Sequence, residues 1–436
     1  MSAGRNWIAR PGAGVAGELG VPGDKSISHR ALLLAAIAEG PSEILGSLDA
    51  EDCRATAAAL EAMGVRIERR AADRLLVHGT GLRGLRAPTA ALDLGNSGTA
   101  MRLLAGILSA QAFDSVLIGD ASLMRRPMDR VAKPLAHMGA DVRTNEGRPP
   151  IAIAGRRSLV GRAHRLEVPS AQVKSALLLA GLHAEGRTSV TEPSPSRDHT
   201  ERMLGAFDVA VLRDGATVSV DGPAKPQGAR VEVPGDFSSA AFLIVAALIA
   251  GSTPLVLRGV GVNPTRTGLL EALTLMGADI RVQCTVERSS EPVADIVVRP
   301  SGLRGIEVPD ALVVRMIDEF PVLLAAAAVA QGETVVTGAA ELRVKESDRL
   351  AAMAEGLAAL GVENQVLPDG IRLRGGTVQG GVVDSRADHR IAMAFAVLAA
   401  RASAPVMIRD VQTVATSFPG FVDLVQAAGL VLAEEG

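Results

Sequence analysis

The chain has 436 residues, of which 48% are hydrophobic and 21% charged, and its formal net charge is −3. This length exceeds a single ordinary hydrophobic core and predicts about two large domains. A near-neutral charge and an aromatic content of 2% argue against a nucleic-acid-binding protein, which needs a basic surface and base-stacking side chains.

The cysteines, the histidines and the apolar runs exclude further classes of protein. Two cysteines, Cys53 and Cys284, allow neither a disulfide framework nor a cysteine-based metal site, and the histidines show no metal-ligand spacing. The segment 1–17 lacks the apolar stretch of a secretory signal, and the longest apolar runs, 242–250 and 322–330, are about half a membrane span. We therefore expect a soluble cytoplasmic protein without a bound metal.

Six similar segments follow one another along the chain. Each has an Ala/Leu-rich helical run, a short β-like stretch, a second helical run and a further strand. The second helical runs end at a glycine or just before one, which is the expected C-terminal stop, at Gly64, Gly139, Gly205, Gly277, Gly361 and Gly429. The pattern predicts an α/β fold of six repeated strand–helix units of about 70 residues, three per domain.

The repeats also suggest domain limits. The first complete repeat begins near Val21, so we expect one domain at 22–230 and a second formed by 1–21 plus 231–436. The Gly- and Pro-containing segment 222–228 is the predicted hinge. Because a helix that is apolar on all sides is buried, the first helices are expected to form interior cores, with sheets and second helices outside.

Turns that carry glycine, serine or a cation lie at corresponding places in several repeats. They are 23–30, 95–102, 125–127, 169–172, 196–199 and 388–390. Backbone N–H groups at helix starts, joined by Lys and Arg, bind anions. Their recurrence predicts one site for several anionic groups rather than six unrelated helix caps.

The segment 342–350 combines charge with the start of an apolar helical run. Ser347 or an earlier polar residue is predicted to cap the helix, with Lys345 and Arg349 on one helical face and Glu346 beside them. Two cations next to a carboxylate indicate an anion site with acid–base function. The alternative is an ordinary surface helix start with one intrahelical ion pair.

Five motifs together resemble the EPSP (5-enolpyruvylshikimate-3-phosphate) synthase family. They are Gly-Asp-Lys-Ser-Ile-Ser-His-Arg at 23–30, Leu-Gly-Asn-Ser-Gly-Thr-Ala-Met-Arg at 94–102, Arg-Pro at 126–127, Arg-Val-Lys-Glu-Ser-Asp-Arg at 343–349 and Asp-His-Arg-Ile-Ala-Met at 388–393. The resemblance covers nearly the whole chain, in order. It implies a two-domain inside-out α/β barrel with the active site in the cleft between the domains.

The resemblance also implies an activity. Members of the family transfer the enolpyruvyl group of phosphoenolpyruvate to the 5-hydroxyl of shikimate 3-phosphate and release phosphate, on the route to chorismate and the aromatic amino acids. The implied mechanism is addition to a tetrahedral intermediate and then elimination. No metal or organic cofactor, nucleic acid or membrane is implied, and we expect a monomer.

Roles for single residues follow from the same resemblance. Those implied at phosphoenolpyruvate are Lys25, Gly98, Arg126, Gln172, Arg349 and Arg390. Those implied at shikimate 3-phosphate are Lys25, Ser26, Arg30, Ser170, Ala171, Gln172, Arg197, Asp318 and Lys345, with Ser196 as a further candidate. Asp318 is implied as the base at the 5-hydroxyl, Glu346 as the proton donor to the methylene carbon, and Lys25 as a third catalytic residue.

Several positions depart from the best-known bacterial pattern of the family. Thr416 stands where many members have Lys, Glu341 where many have Asn, and Ala171 where many have Ser, and the segment 197–200 replaces a Tyr-bearing one. Together these features resemble the divergent bacterial class, in which Ala often stands at the position of Gly98. The space left by Gly98 leads to the hypothesis that glyphosate, which competes with phosphoenolpyruvate, still fits here.

Two other functions remain open from the sequence. A sister enolpyruvyl transferase acts on UDP-N-acetylglucosamine, but it carries an acidic loop cysteine. Cys53 falls in a predicted helix and Cys284 follows a predicted strand, so we interpret both as buried structural residues. A non-enzymatic anion-binding repeat protein would keep the cations but would need neither Asp318 nor Glu346.

Overall fold

The computed structural model describes residues 5–12, 14–155 and 158–435, so Met1 to Gly4, part of the segment inspected for a signal sequence, lie outside the described residues. The chain forms two compact units. Unit I comprises Gly23–Pro234 and Glu287–Glu291, and unit II comprises the described residues of Met1–Pro22, Gly235–Val286 and Pro292–Gly436.

The helices of the described residues occur in both units. They are α1 (Lys25–Ile37), α2 (Glu51–Ala62), α3 (Gly98–Leu108), α4 (Asp129–His137), α5 (Ala171–Gly181), α6 (His199–Ala206), α7 (Phe237–Ala250), α8 (Gly268–Leu275), α9 (Asp310–Val313), α10 (Phe320–Ala328), α11 (Arg349–Ala359), α12 (His389–Leu398) and α13 (Phe421–Ala427).

The strands of the described residues also occur in both units. They are β1 (Asn6–Arg10), β2 (Val15–Gly20), β3 (Glu39–Leu45), β4 (Arg66–Ala71), β5 (Arg74–Thr80), β6 (Leu92–Asp93), β7 (Ser115–Ile118), β8 (Asp141–Asn145), β9 (Arg148–Ala154), β10 (Ala163–Arg165), β11 (Gly186–Thr191), β12 (Leu212–Asp214), β13 (Thr217–Gly222), β14 (Arg230–Glu232), β15 (Gly251–Gly261), β16 (Asp279–Arg288), β17 (Glu291–Arg299), β18 (Glu333–Val336), β19 (Asn364–Leu367), β20 (Gly370–Arg374), β21 (Gly381–Asp384), β22 (Val406–Arg409) and β23 (Val431–Glu435).

Unit I contains three sheets with a common plan. Their strand orders are β14-β3-β5-β4, β6-β7-β9-β8 and β10-β11-β13-β12. In each, the first two strands are parallel and the remaining pairs are antiparallel. Parallel neighbours need a crossover, and α3 and α5 supply it between β6 and β7 and between β10 and β11.

Unit II repeats this plan with two changes. Its sheets have the orders β21-β22-β1-β23, β16-β17-β15-β2 and β18-β20-β19. The N-terminal strands β1 and β2 complete the first two of these sheets. In the third, the parallel edge strand is reduced to isolated bridges from Arg304 to Gln331 and from Glu307 to Val335. Helices combined with mixed sheets confirm the predicted α/β class.

The first helix of each repeat lies in a core. In unit I, α1 is buried at every position from Ile27 to Ile37, and α3 packs against both α1 and α5. In unit II, α7, α10 and α12 all pack against one another. Each unit has its own cluster of buried apolar residues. Because these helices are apolar along their length, polar side chains that serve a site are confined to their N-terminal turns. None of the described helices is long and apolar enough to cross a membrane.

Two local expectations were wrong. The segment 222–228 is not a free hinge but is held inside unit I, where Gly228 N–H donates to Glu39 O at 2.8 Å. Gly228 allows this segment to approach the backbone of Pro41 closely, since a Cβ at Gly228 would lie 2.2 Å from Pro41 O. Cys284 is exposed within β16, whereas Cys53 is buried in α2 as predicted. β16 is an edge strand, and its residues around Cys284 are exposed to solvent, so the Cys284 side chain is not buried in the core.

Candidate active site

Lys25 opens helix α1 of unit I. The helix begins here because the Asp24 carboxylate accepts a hydrogen bond from Ile27 N–H at 2.9 Å and so caps the first turn. Lys25 Nζ lies 3.0 Å from Asp52 Oδ2, and 18% of the lysine side chain is exposed. The ammonium is thus fixed by one carboxylate while still open to a ligand.

Arg30, one turn further along α1, is a buried cation. Its guanidinium donates to Ser26 O at 2.9 Å, to Thr200 Oγ1 at 2.7 Å and to Ser175 Oγ at 2.9 Å. Burial lowers the pKa of Arg30 to about 10, so the group remains a cation at neutral pH. These three acceptors are neutral, and the charges of Glu201, Asp24 and Glu291 act on the guanidinium and favour its cationic form.

The Gly-rich turn before α3 brings two guanidinium groups against a glycine. Ser97 caps the helix by accepting from Ala100 N–H at 3.2 Å. A Cβ on Gly98 would lie 2.8 Å from Arg102 Nη1 and 3.0 Å from Arg126 Nη1. Arg126 Nη2 also donates to Asn96 Oδ1 at 2.6 Å. The helix start therefore presents two arginines around one backbone position.

Gln172 is tied to the same turn. Its Oε1 accepts from Arg102 Nη1 at 2.6 Å, and its Nε2 donates to Thr99 Oγ1 at 2.8 Å. Arg102 links this turn to Gln172 and to the residue after Arg126, since it also donates to Gly98 O and to Pro127 O, each at 3.3 Å. Arg102 had no predicted role, although its place one turn after Gly98 on α3 is a signal that could have found it.

The start of α5 is built around a carboxylate that the sequence did not indicate. Ser170 Oγ accepts from Val173 N–H at 3.4 Å and caps the helix, which begins at Ala171. The Ser170 N–H donates to Glu192 Oε1 at 3.0 Å, and Ser196 Oγ donates to the same oxygen at 2.6 Å. Ser196 is followed by the half-buried Arg197 in the loop before α6.

The start of α11 in unit II differs from the prediction. Asp348 is the cap and accepts from Ala351 N–H at 3.0 Å, so the helix begins at Arg349, and Lys345 and Glu346 precede it. The expectation that Ser347 or an earlier residue caps, with Lys345 and Arg349 on one helical face, was wrong. Ser347 Oγ instead donates to Asp388 Oδ2 at 3.0 Å.

Arg349 joins three carboxylates. Its side chain is 1% exposed, and it donates to Asp388 Oδ2 at 2.8 Å and to Glu346 Oε2 at 2.6 Å, with Asp318 Oδ1 at 3.4 Å. Burial works to lower the pKa of Arg349, but the charges of Asp388, Glu346 and Asp318 outweigh burial and raise the pKa above its ordinary value. The residues implied as base and proton donor thus share one fixed cation.

Asp318 has further cations close to it. Lys345 Nζ lies 3.5 Å from Asp318 Oδ1, and Arg390 Nη2 lies 4.0 Å from Asp318 Oδ2. Arg390 Nη1 also donates to the Asp318 backbone carbonyl at 3.0 Å. Asp388 caps α12 by accepting from Arg390 N–H at 3.0 Å, so the same carboxylate positions two arginines. The structure therefore brings Asp318, Lys345, Glu346, Arg349 and Arg390 together in unit II.

Unit II contains one more buried carboxylate that the sequence did not single out. Glu319, next to Asp318, is 1% exposed and accepts a short hydrogen bond from Ser238 Oγ. Its Oε1 lies 3.9 Å from Arg390 Nη1. Thr416, where many family members have Lys, is buried and donates to Thr413 O at 2.7 Å.

An α/β protein that gathers arginines, lysines and paired carboxylates at helix starts is of the kind that binds small anionic substrates. The family model of EPSP synthase (3-phosphoshikimate 1-carboxyvinyltransferase) matches residues 9–425. The chain therefore belongs to the EPSP synthase family.

Individual relatives agree over nearly the full length. The 3-phosphoshikimate 1-carboxyvinyltransferase of Methylococcus capsulatus is 56% identical over 97% of this chain and 97% of its own. That of Xanthomonas euvesicatoria is 56% identical over 99% of this chain and 98% of its own. A solved EPSP synthase structure from Acinetobacter baumannii superimposes with a TM-score of 0.89 at 49% identity, over 99% of this chain and 100% of that one.

Proposed function

We propose that this chain transfers the enolpyruvyl group of phosphoenolpyruvate to the 5-hydroxyl of shikimate 3-phosphate and releases phosphate, on the route to chorismate. Its family and the names of its relatives support this activity. The observation that carries the assignment is the set of two carboxylates, Asp318 and Glu346, held by Arg349 with Lys345 and Arg390 alongside.

We further propose that each unit is an inside-out α/β barrel made of three repeats. The burial of α1 and α3 in unit I and of α7, α10 and α12 in unit II supports this arrangement. In such a barrel the N-terminal turns of the inner helices carry the substrate-binding residues. The monomeric state and the cytoplasmic location expected from the sequence stay predictions.

The two substrates together carry about five or six negative charges, since each phosphate contributes nearly two. Clustered Lys and Arg are therefore needed to bring them together. We assign phosphoenolpyruvate to Lys25, Gly98, Arg126, Gln172, Arg349 and Arg390, with Arg102 added because it contacts both Gly98 and Gln172. We assign shikimate 3-phosphate to Lys25, Ser26, Arg30, Ser170, Ala171, Gln172, Arg197, Asp318 and Lys345.

The reaction needs a proton at carbon and a base at oxygen. Glu346 donates a proton to the methylene carbon of phosphoenolpyruvate while Asp318 accepts the proton of the 5-hydroxyl, and the hydroxyl oxygen bonds to the central carbon. The tetrahedral intermediate then loses a methyl proton to Glu346, and phosphate departs with the proton from Asp318. The product keeps the carbon–carbon double bond, and no electrons are gained or lost.

The cations around Asp318 are also the groups assigned to the two substrates. Lys345 and Arg349 lie within 3.5 Å of its carboxylate, and such neighbours stabilise the ionised form. When the carboxylate of phosphoenolpyruvate engages Arg349 and the shikimate hydroxyls engage Lys345, these cations are shared with the ligands. Binding of both substrates thus loosens two of the ion pairs of the Asp318 carboxylate, so that it can accept the proton of the 5-hydroxyl.

The sister transferase that acts on UDP-N-acetylglucosamine is not favoured. The family match covers residues 9–425, and neither cysteine offers an acid on a glycine-rich loop. Cys53 is buried within α2, and Cys284 lies within β16. Neither residue is placed like the acidic loop cysteine that this alternative needs.

A phosphate-release assay tests the proposed function directly. The purified chain is given phosphoenolpyruvate with shikimate 3-phosphate, each substrate alone, and phosphoenolpyruvate with UDP-N-acetylglucosamine. We expect release only with the first pair. Release with UDP-N-acetylglucosamine instead would overturn the assignment.

The Glu346→Gln variant tests the proposed role of Glu346 as general acid. We expect turnover to fall by about a hundredfold or more with a modest change in KM, because a general acid acts in the transition state. Glu355→Gln is the control, since Glu355 is an exposed residue of α11, the helix that follows Glu346. An unchanged turnover in Glu346→Gln would contradict the role of Glu346 as general acid, whereas a wild-type chain that binds both substrates without turnover would favour the non-enzymatic alternative.

A further inference from the structure

Glu192 holds three elements of unit I at one point. It lies just after β11, and its Oε1 accepts from Ser170 N–H at 3.0 Å and from Ser196 Oγ at 2.6 Å. Its Oε2 lies 2.7 Å from Lys174 Nζ, on the first turn of α5. The carboxylate is therefore bound by the start of α5 and by the loop before α6, which carry residues assigned to shikimate 3-phosphate. The Ser170 hydroxyl and the Arg197 guanidinium are groups that suit its phosphate.

The directions of these hydrogen bonds give the hydroxyls of Ser170 and Ser196 different roles. A carboxylate accepts only, so the Ser196 hydroxyl uses its proton on Glu192 and offers a phosphate no donor in this arrangement. The Ser170 hydroxyl accepts from Val173 N–H, and its own proton remains available to a ligand. Ser196 thus holds the loop to Glu192, while Ser170 faces the substrate.

The charge of Glu192 would repel a nearby phosphate if it were not balanced. Lys174 supplies part of the balance, with Nζ 2.7 Å from Glu192 Oε2 and 2.8 Å from Glu201 Oε1. The buried Arg30, on which the charge of Glu201 acts, supplies the second positive charge. The side chains of Lys174, Glu192 and Glu201 are between 1% and 5% exposed. An ion group so deeply buried keeps a fixed geometry, because moving one member leaves an uncompensated buried charge.

We propose that Glu192 is a positioning residue for the phosphate of shikimate 3-phosphate. It sets the orientation of the Ser170 turn and of the loop that bears Arg197, and the buried cations Lys174 and Arg30 together offset the charges of Glu192 and Glu201 so that a dianion can bind beside them. It does not touch the substrate. The role rests on the proposed function, since shikimate 3-phosphate is the ligand that this function requires.

Steady-state kinetics of three variants test the proposal. In Glu192→Ala, which removes both acceptor contacts, we expect KM for shikimate 3-phosphate to rise about tenfold or more and KM for phosphoenolpyruvate to change by less than about twofold. Glu192→Gln retains an acceptor oxygen, so we expect it to restore most of the loss. Glu201→Gln is the matched control, because Glu201 is equally buried and shares Lys174 but belongs to neither serine contact.

The results that would contradict this proposal differ from those that would overturn the proposed function. Equal changes in both KM values, or a fall in kcat alone with both KM values unchanged, would contradict the proposal, because a merely structural defect does not select one substrate. If Glu192→Ala does not fold by circular dichroism, Glu192→Asp replaces it, since the shorter side chain retracts the carboxylate from Ser170. A wild-type chain that releases no phosphate would instead overturn the proposed function.

Discussion

At Gly98 the absence of a side chain is what allows two guanidinium groups to approach the start of α3. A methyl group there would meet Arg102 Nη1 at 2.8 Å and Arg126 Nη1 at 3.0 Å, so both arginines would have to move. In Gly98→Ala we expect KM for phosphoenolpyruvate to rise about tenfold and KM for shikimate 3-phosphate to stay unchanged. Initial-rate kinetics in each substrate measure this.

The same substitution tests the glyphosate hypothesis. The wild-type chain should be inhibited at subsaturating phosphoenolpyruvate, and Gly98→Ala should be inhibited less. Gly205→Ala is the control, because a Cβ at Gly205, on α6, would have no neighbour within 4 Å. Millimolar glyphosate without effect on the wild type would refute the hypothesis.

His183 is a buried group outside the proposed site. Burial lowers its pKa from 6.5 to about 4, and within the described residues neither ring nitrogen has a hydrogen-bond partner. Between pH 6.5 and 4 the unfolded chain holds more protons at this residue than the folded chain. The free energy of unfolding therefore falls as the pH falls, by up to about 1.4 kcal/mol per pH unit.

Replacing His183 with Leu should remove this part of the pH dependence. We expect a flatter decline of the unfolding free energy between pH 6.5 and 4 than in the wild type, measured by urea denaturation at several pH values. His137→Gln, at the exposed end of α4, should keep the wild-type slope. Parallel wild-type and His183→Leu curves would show that the imidazole does protonate in the folded chain.

At the scale of elements, Asp388 joins the start of α12 to the start of α11. It accepts from Arg390 N–H, from Ser347 Oγ and from the buried Arg349. Asp388→Ala leaves the Arg349 guanidinium without its closest buried partner, so we expect the unfolding free energy to fall by about 3–5 kcal/mol. The half-exposed cap Asp348 is the comparison, and Asp348→Ala should cost about 1 kcal/mol. Equal losses in urea denaturation would argue against the buried network.

The α/β class was predicted from the sequence, whereas the start of one helix was not. Apolar runs such as 323–330 and the glycines that follow the second helices predicted the α/β class, because burial and helix termination are local properties. The start of α11 was misplaced because Glu346, Ser347 and Asp348 are all polar and only tertiary contacts select the cap. Asp348 bonds its own helix, while Ser347 is drawn to Asp388.

The candidate site likewise contains residues that sequence motifs indicated and residues that they did not. Motifs carried by contiguous residues pointed to Lys25, Gly98 and Arg349, and their roles stay predictions. Glu192 was not predicted because its partner Ser170 lies 22 positions away in the chain. Arg102 had a local signal in its place one turn after Gly98, but its contact with Gln172 spans 70 positions. Such contacts arise when repeats pack, and no local pattern encodes them.

At the scale of the whole molecule, unit I has its own core. All residues of its buried apolar cluster lie between Ile27 and Val233. A fragment 23–234 retains this whole cluster, although it lacks Glu287–Glu291 and so the buried contact of Glu291 with His199. We expect it to fold with a cooperative urea transition but to lack activity, because Asp318 and Glu346 belong to unit II. A fragment 23–228 is the control. It lacks β14, the parallel edge strand beside β3, and should be less stable. An unfolded 23–234 fragment would contradict the independence of this core.

The central claim is that Glu346 and Asp318 move protons in an addition followed by an elimination. Running the reaction in D₂O with both substrates tests this most directly, because the methylene carbon gains a solvent-derived proton in the intermediate and then loses one of three. We predict deuterium in the vinyl group of the enolpyruvyl product, detected by mass spectrometry. Product that forms at the normal rate with no vinyl deuterium would contradict the account.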